Sequence, residues 1–549
     1  MFFNLNSKAK ANWFWLLPFT VYILFWGFWF KADNTPPHWD GGRHVYNAEN
    51  YFTLFKNIVI NTKENGRTDA LAQLLSQYFY YPPFQYYLTI PFLVIFGVSA
   101  KSALLVNLAW ISLLTFGVVK FLKQFNLSNL AIFGGLCLIF GSPFLIGQSR
   151  EYQLDYPTLA FLFLAFWRLE VLLKDFNAKN SIYLGTIFAT GILTKWTFLI
   201  TFTILAIPVV LIRIFSHFQN TFNFEFNFIQ LKTYFQKILV NLFALFFTTW
   251  GIISLWYIPN LSHLIIDFKK NAGSIGIIEG DPQGFGWDSL FFYANALTSH
   301  YFTFVWILAL ALLAIIWFTQ NRKKLQFSSR YLTLLSYLLG FTLNLFYLMI
   351  QGNKDTRYAV GFFVFFVLII AFGINDLSSK LQKYSTIIMA FCALLFIICL
   401  NVPSNNIPRS IAITPKVNLE IIPTSGYTNL PTNNQQWAVY QVLELAQSNS
   451  TQFWNSSDNC ITKDYWKPLP SIKVDFEDNP THSNYGTVWG LAREYGLEIS
   501  DSDNACFILI GSNNQEYLDQ QSQKIQDYQP LGQFNGVELK NIMVLAKKI

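Results

Sequence analysis

Apolar runs of about twenty residues recur through residues 1–401, separated by short loops with clustered Lys and Arg. Such a run can cross a bilayer only as a helix or as part of a closed barrel, because no water is present to satisfy its backbone. Unbroken apolar stretches, rather than strict alternation, select the helix. Composition agrees: 53% of residues are hydrophobic and 13% charged, against about 25% charged in ordinary soluble domains. A wholly soluble protein and a disordered one are both excluded.

The charge is unevenly distributed. Residues 402–549 hold 10 basic and 15 acidic side chains, and residues 1–401 hold 28 and 16. The net +7 is therefore no nucleic-acid signature. It describes a basic membrane region followed by a mildly acidic tail.

The first apolar run, Trp13 to Phe30, follows Lys8 and Lys10 and has no small-residue cleavage site, so it reads as a retained anchor with its N-terminal side in the cytoplasm. Further runs lie at 101–119, 130–147, 157–173, 181–194, 196–213, 238–258, 300–319, 330–350, 358–375 and 384–401. The stretch 84–97 has 14 residues and contains Pro91, which suits an interfacial or re-entrant segment better than a span. If it does not cross, Lys120/Lys123, Lys174/Lys179, Arg213 to Lys237, Arg322 to Arg330 and Lys380/Lys383 all fall on the cytoplasmic side. The expectation is about eleven spanning helices. The membrane domain would occupy 1–401, with a first extracytoplasmic loop at 31–100 containing juxtamembrane helices and a glycine-rich lid loop at 259–299. Residues 402–549 would form an extracytoplasmic α/β domain, with strands at 505–511 and 537–546 and a helix at 487–495. Cys460 and Cys506 lie in this tail and could pair in an oxidising compartment; the sequence leaves this open.

That topology gathers particular residues on the outer face. Asp40 lies about ten residues beyond the first run, in His38-Trp39-Asp40-Gly41-Gly42-Arg43-His44. A carboxylate there can serve as a general base or merely cap the next helix. Asp155 precedes Pro157 at another helix start, with Arg150 and Glu151 nearby. Lys195 interrupts two apolar runs, and Arg357-Tyr358 open a further helix after Asp355. These cations suit a lipid phosphate or simply snorkel to headgroups. Tyr80-Tyr81-Pro82-Pro83-Phe84-Gln85-Tyr86-Tyr87 reads as an interfacial belt, or as a wall for a lipid or sugar. The sequence holds no GxGxxG after a strand, no HExxH and no CxxC.

Taken in order, Asp40, the Pro82-Pro83-Phe84-Gln85-Tyr86-Tyr87 segment, Arg150 to Pro157, Leu193-Thr194-Lys195 and Arg357-Tyr358 resemble the polyprenyl- or dolichyl-phosphate-sugar-dependent membrane glycosyltransferases of the C fold (GT-C), near the protein O-mannosyltransferases and the lipid A aminoarabinose transferases. The resemblance covers most of 13–401. It implies transfer of a sugar from a polyprenyl-phosphate lipid to an extracytoplasmic lipid, glycan or protein, with inversion, in the plasma (inner) membrane. It implies catalytic roles for Asp40 and Asp155. It implies substrate binding by Arg150, Lys195, Arg357, Tyr358, Tyr81, Pro82, Pro83 and Tyr86, and a possible divalent metal at Asp40 and Asp155. The family often has a second acidic residue directly after the first Asp; Gly41 stands there, and Glu49 is the candidate substitute. The rival readings are a ligase or transferase using a lipid-linked oligosaccharide, and a transporter or flippase. The latter would want midplane charges and paired repeats, and neither is evident.

Overall fold

The computed structural model describes residues 14–37, 39–60, 64–222, 228–271, 275–278, 280–321, 329–401, 410–414, 417–420, 438–453, 460–462, 469–476, 482–512, 515–525, 527–534 and 541–548. The membrane part opens with α1 (Leu17–Ala32), α2 (Trp39–Ile60), α3 (Glu64–Ser76), α4 (Phe84–Phe96), α5 (Ala100–Leu104) and α6 (Val106–Lys123). It continues with α7 (Asn129–Gly141), α8 (Pro143–Gln148), α9 (Asp155–Lys174), α10 (Ala178–Thr194), α11 (Thr197–Phe222) and α12 (Phe228–Asn271). Then come α13 (Ile275–Ile278), α14 (Trp287–Asn295), α15 (Thr303–Asn321), α16 (Ser329–Ile350), a 3-10 turn (Thr356–Gly361), α17 (Phe362–Asn375) and α18 (Ser379–Cys399).

Among the described residues, eight of the eleven expected spans are helices long and apolar enough to cross a membrane. Three of the expected spans are shorter helices. α1 has 16 residues and α10 has 17. The run 130–147 is broken in two, because Pro143 disfavours a helical residue before it and Ser142 is extended (φ −71°, ψ 120°). The resulting α7 is buried along nearly its whole length. Its close packing depends on Gly141, where a Cβ would stand 2.5 Å from the Ala393 Cα of α18. The stretch 84–97 forms α4, 13 residues long, or about 20 Å at 1.5 Å per residue; it packs on α2. The stretch 259–299 is not an open loop throughout. α12 runs on through Pro259 to Asn271, with Leu261 and Ile265 continuing its apolar surface.

The tail begins with the antiparallel pair β1 (Ser410–Thr414) and β2 (Val417–Glu420). α19 (Ala438–Asn449), β3 (Ile461–Thr462), β4 (Leu469–Phe476), α20 (His482–Ala492), β5 (Glu498–Ile499), β6 (Phe507–Ser512), α21 (Gln515–Lys524), β7 (Tyr528–Phe534) and β8 (Asn541–Lys547) follow. The sheet runs β3-β4-β6-β8-β7, with β5 also paired to β4. β4 and β6 are parallel, and β8 is antiparallel to both β6 and β7. The apolar run at 505–511 becomes β6, buried at every position. Cys460 and Cys506 are disulfide-bonded, closing a segment of 46 residues. Residues 537–540, the start of the expected last strand, lie outside the described residues.

The tail domain rests on α2. At the crossing, a Cβ on Gly490 of α20 would lie 2.8 Å from the Gly42 Cα and 2.9 Å from the Pro37 Cγ, so the two backbones touch. Beside this contact, Arg493 makes two hydrogen bonds to Glu498, at 2.9 and 2.8 Å, and its guanidinium stands 5.2 Å from the Tyr46 ring centre. Glu49 faces this interface, not Asp40. Nine residues separate them on α2, which at 3.6 residues per turn is half a revolution. Burial, foremost, lifts the Glu49 carboxyl well above the usual range.

Candidate active site

Asp40 falls in the first turn of α2, where the helix dipole favours a carboxylate. Asp155 begins α9, with Pro157 two residues on. Lys195 is the extended residue that ends α10. Arg357 lies in the turn before α17, whose start is capped by Asp355 accepting from the Arg357 backbone N–H at 2.8 Å.

These four side chains form one cluster. The Lys195 Nζ donates to the Asp155 Oδ1 at 2.7 Å, with both side chains at most 5% exposed. Arg357 donates from Nη1 to the Asp40 Oδ2 at 3.1 Å and to the Gln153 Oε1 at 3.2 Å, and from Nε to the Asp355 Oδ2 at 2.7 Å. Lys195 also stands 5.5 Å from the centre of the Tyr358 ring. Adjacent residues Arg357 and Tyr358 thus join the two ion pairs. Asp40 is the open member, its side chain 39% exposed. Asp155 is closed in, and its Oδ2 is buried with no hydrogen-bond partner among the described residues.

Burial raises the Asp40 carboxyl, but Arg357 foremost and Lys195 with it outweigh that and hold the group below the usual carboxylate range. Asp40 is therefore ionised at neutral pH. His44 moves the opposite way. Burial drives its imidazole down to about 3, against the pull of Asp40, so it is neutral. Its Nδ1 shares a hydrogen bond with the Tyr86 hydroxyl at 2.8 Å.

Tyr81 packs against the His44 ring at 5.1 Å, and its phenol is raised by burial first and by the nearby Asp40 charge second. Pro82 and Pro83 are buried behind it, and Tyr80 holds a left-handed backbone (φ 69°). The Tyr-Pro-Pro segment therefore borders the cluster. Arg150 sits elsewhere. It donates to the Leu400 carbonyl at 2.9 Å and lies 5.1 Å from the Trp29 ring centre. From the glycine-rich stretch, Asp281 accepts from the Lys354 backbone N–H at 2.7 Å, and Gln283 donates to the Gly352 carbonyl at 3.0 Å. That stretch clasps the loop leading to Arg357.

Sequence reasoning did not single out Gln153. Gln153 lies inside the quoted Arg150–Pro157 motif, but a neutral amide gave no signal. For a metal, the cluster offers carboxylates already paired to cations, and no group of three or more His, Cys, Asp or Glu suited to a metal occurs among the described residues. The donor set fits a metal poorly.

Comparison with known proteins follows the same line. Residues 81–252 match the family model described as dolichyl-phosphate-mannose-protein mannosyltransferase. No curated protein matches the chain. Among solved structures, ArnT from Cupriavidus metallidurans in the apo state is 13% identical, with 98% of each chain covered and a TM-score of 0.54. The same protein bound to undecaprenyl phosphate is 12% identical over 98% of each chain, at a TM-score of 0.52. From its helical core to its small terminal sheet, the chain is a multi-pass membrane protein with the fold of the GT-C glycosyltransferases.

Proposed function

We propose that this protein transfers a sugar from a polyprenyl-phosphate donor to a hydroxyl of an extracytoplasmic lipid, glycan or protein, with Asp40 as general base. The observation that carries the reading is the joined pair Asp40–Arg357 and Asp155–Lys195 in this fold. The Asp40 carboxylate takes the proton from the acceptor hydroxyl as its oxygen attacks the anomeric carbon. The bond from that carbon to the phosphate oxygen breaks, and the leaving phosphate carries the electron pair. Lys195 and Arg357 stand where that charge develops, which lowers the barrier electrostatically. A single displacement inverts the anomeric centre. Asp155 orients Lys195, and Asp355 with Gln153 orients Arg357. The ArnT complex with undecaprenyl phosphate supports a donor of this class.

In this reading the chain lies in the plasma (inner) membrane, with Lys8 and Lys10 in the cytoplasm and the cluster and residues 402–549 outside. The Cys460–Cys506 disulfide supports an oxidising compartment for the tail. The test is transfer by the full chain in nanodiscs from undecaprenyl-phosphate-linked single sugars, with lipid-linked oligosaccharides as a parallel donor. Asp40→Asn is expected to lower the rate by about 10²- to 10⁴-fold with insertion unchanged. Normal transfer by that variant removes Asp40 from the mechanism, and labelling of single cysteines near 40 and 155 from opposite sides of the membrane removes the topology.

A further inference from the structure

Between α14 and α15 the backbone is irregular twice. Ala296–Tyr301 forms a single π-helical turn. Thr303, two residues on, holds a left-handed backbone (φ 52°) although it is β-branched and fully buried. Both conformations are unfavourable beside a continued α-helix, and both gather at functional positions. Tyr301 ends the π turn and is 0% exposed. Its hydroxyl donates to the Thr356 carbonyl at 2.8 Å.

That carbonyl shares a peptide plane with the Arg357 N–H, which the Asp355 carboxylate holds at 2.8 Å. The six atoms of a peptide unit move as one plane. Gripped at its oxygen by Tyr301 and at its hydrogen by Asp355, this plane cannot turn, so the Arg357 Cα leaves it in one direction. From there the guanidinium spans to Asp40 at 3.1 Å and to Gln153 at 3.2 Å. With the oxygen released, Asp355 alone would hold one edge, and the plane could swing about it.

Tyr301 is itself fixed. Its ring stacks on Phe144, with centres 4.3 Å apart and planes within 11°, and on Phe363, at 5.2 Å and 21°. Its own carbonyl accepts from the Ser142 hydroxyl at 2.9 Å. Ser142 and Phe144 flank Pro143, the residue that separates α7 from α8. The break in that apolar run therefore places a hydroxyl and a ring against one tyrosine.

We infer that Tyr301 is a positioning residue for Arg357: its hydroxyl fixes the Thr356–Arg357 peptide, and through it the guanidinium that pairs with Asp40 and faces the leaving phosphate. The inference rests on the glycosyl-transfer reading above and adds a residue that acts only through Arg357. A tyrosine of merely structural use would lower stability when altered and leave the charged cluster as it is. A positioning tyrosine also governs how far Arg357 holds down the Asp40 carboxyl.

The experiment uses the full chain in nanodiscs, with an undecaprenyl-phosphate-linked sugar as donor. Tyr301→Phe removes one oxygen and keeps the stacked ring. It is expected to lower kcat by about tenfold and to move the acid limb of the rate profile upward, because Arg357 no longer depresses the Asp40 carboxyl in full. Hydrogen exchange of residues 355–361, followed without donor, should quicken by about tenfold. Tyr337→Phe is the control. It removes another buried phenol hydroxyl, which donates to Glu170 at 3.0 Å, fifteen residues or about 22 Å along α9 from Asp155. It should lower stability and leave kcat, the acid limb and the exchange of 355–361 in place. Ser142→Ala frees the Tyr301 carbonyl and should repeat the Tyr301→Phe pattern in smaller degree, which keeps the inference testable if Tyr301→Phe does not insert. Exchange equal to that of the unaltered chain, or an acid limb that stays in place, overturns the inference. Faster exchange in Tyr301→Phe, with no transfer by the unaltered protein from any lipid-linked donor, instead counts against the glycosyl-transfer reading and leaves the hold of Tyr301 on Arg357 standing.

Discussion

Replacing Gly490 by Ala tests whether the tail domain sets the position of Asp40, the proposed base. The added Cβ would meet the Gly42 Cα at 2.8 Å and the Gly42 carbonyl oxygen at 3.0 Å, where ordinary contact begins at 3.4 Å. Both partners are backbone and cannot rotate away, so α20 and α2 must separate by about 0.6 Å, at a cost of about 1–3 kcal/mol. Gly42 shares the first turn of α2 with Asp40. A displacement of that size along the Asp40–Arg357 bond stretches it from 3.1 Å to about 3.7 Å, beyond hydrogen-bond reach. Misplacement by 1 Å can cost about 10²-fold in rate, so roughly a tenfold fall in kcat is expected, with donor KM little changed. Steady-state kinetics on the full chain in nanodiscs reads both. Gly496→Ala is the control. It strains a left-handed backbone (φ +70°) in the same domain but has nothing within 4 Å of its Cβ, and it should lower stability without moving kcat. Equal kcat for Gly490→Ala and the unaltered chain, with α20 still docked, would refute the positioning argument.

Other consequences can be checked separately. Because Asp40 is held below the ordinary carboxylate range, its ionised form, and the stability it lends, persist as pH falls until that depressed value is crossed. The acid limb of the rate profile should therefore lie low and move upward in Arg357→Gln. His44, neutral down to about pH 3, should add no inflection near pH 6.5. Lys195→Met leaves Asp155 as a buried, unpaired charge and should cost about 3–5 kcal/mol; adding Asp155→Asn should recover part of the lost thermal stability, and failure to recover any would deny the pairing. Reduction of Cys460–Cys506 frees a 46-residue segment and should destabilise the tail by about 4 kcal/mol, read as earlier proteolysis of residues 438–549.

Hydropathy made the membrane part legible because burial in lipid acts on runs of residues, and eight of the expected runs recur as long helices. It failed where a local backbone rule overrode it. Pro143 cut one run in two, whereas Pro259 left its helix intact, and no average over a window distinguishes those cases. The cluster was legible as residue types. Its pairings were not, since Arg357 meets Asp40 across 317 positions and Lys195 meets Asp155 across 40. Arg150 looked equivalent to its neighbours in the motif, yet the turn at 149–154 directs it to Trp29 and away from Asp155.

Both cations of the cluster already have carboxylate partners. A membrane surface is crowded with phosphodiester headgroups, and a bare lysine or arginine there would be occupied by them almost continuously. Covered by Asp155, Asp40 and Asp355, the positive charges yield only to an anion able to displace an internal counterion. The arrangement is a threshold: any phosphate that engages Lys195 or Arg357 must displace a carboxylate already bound there.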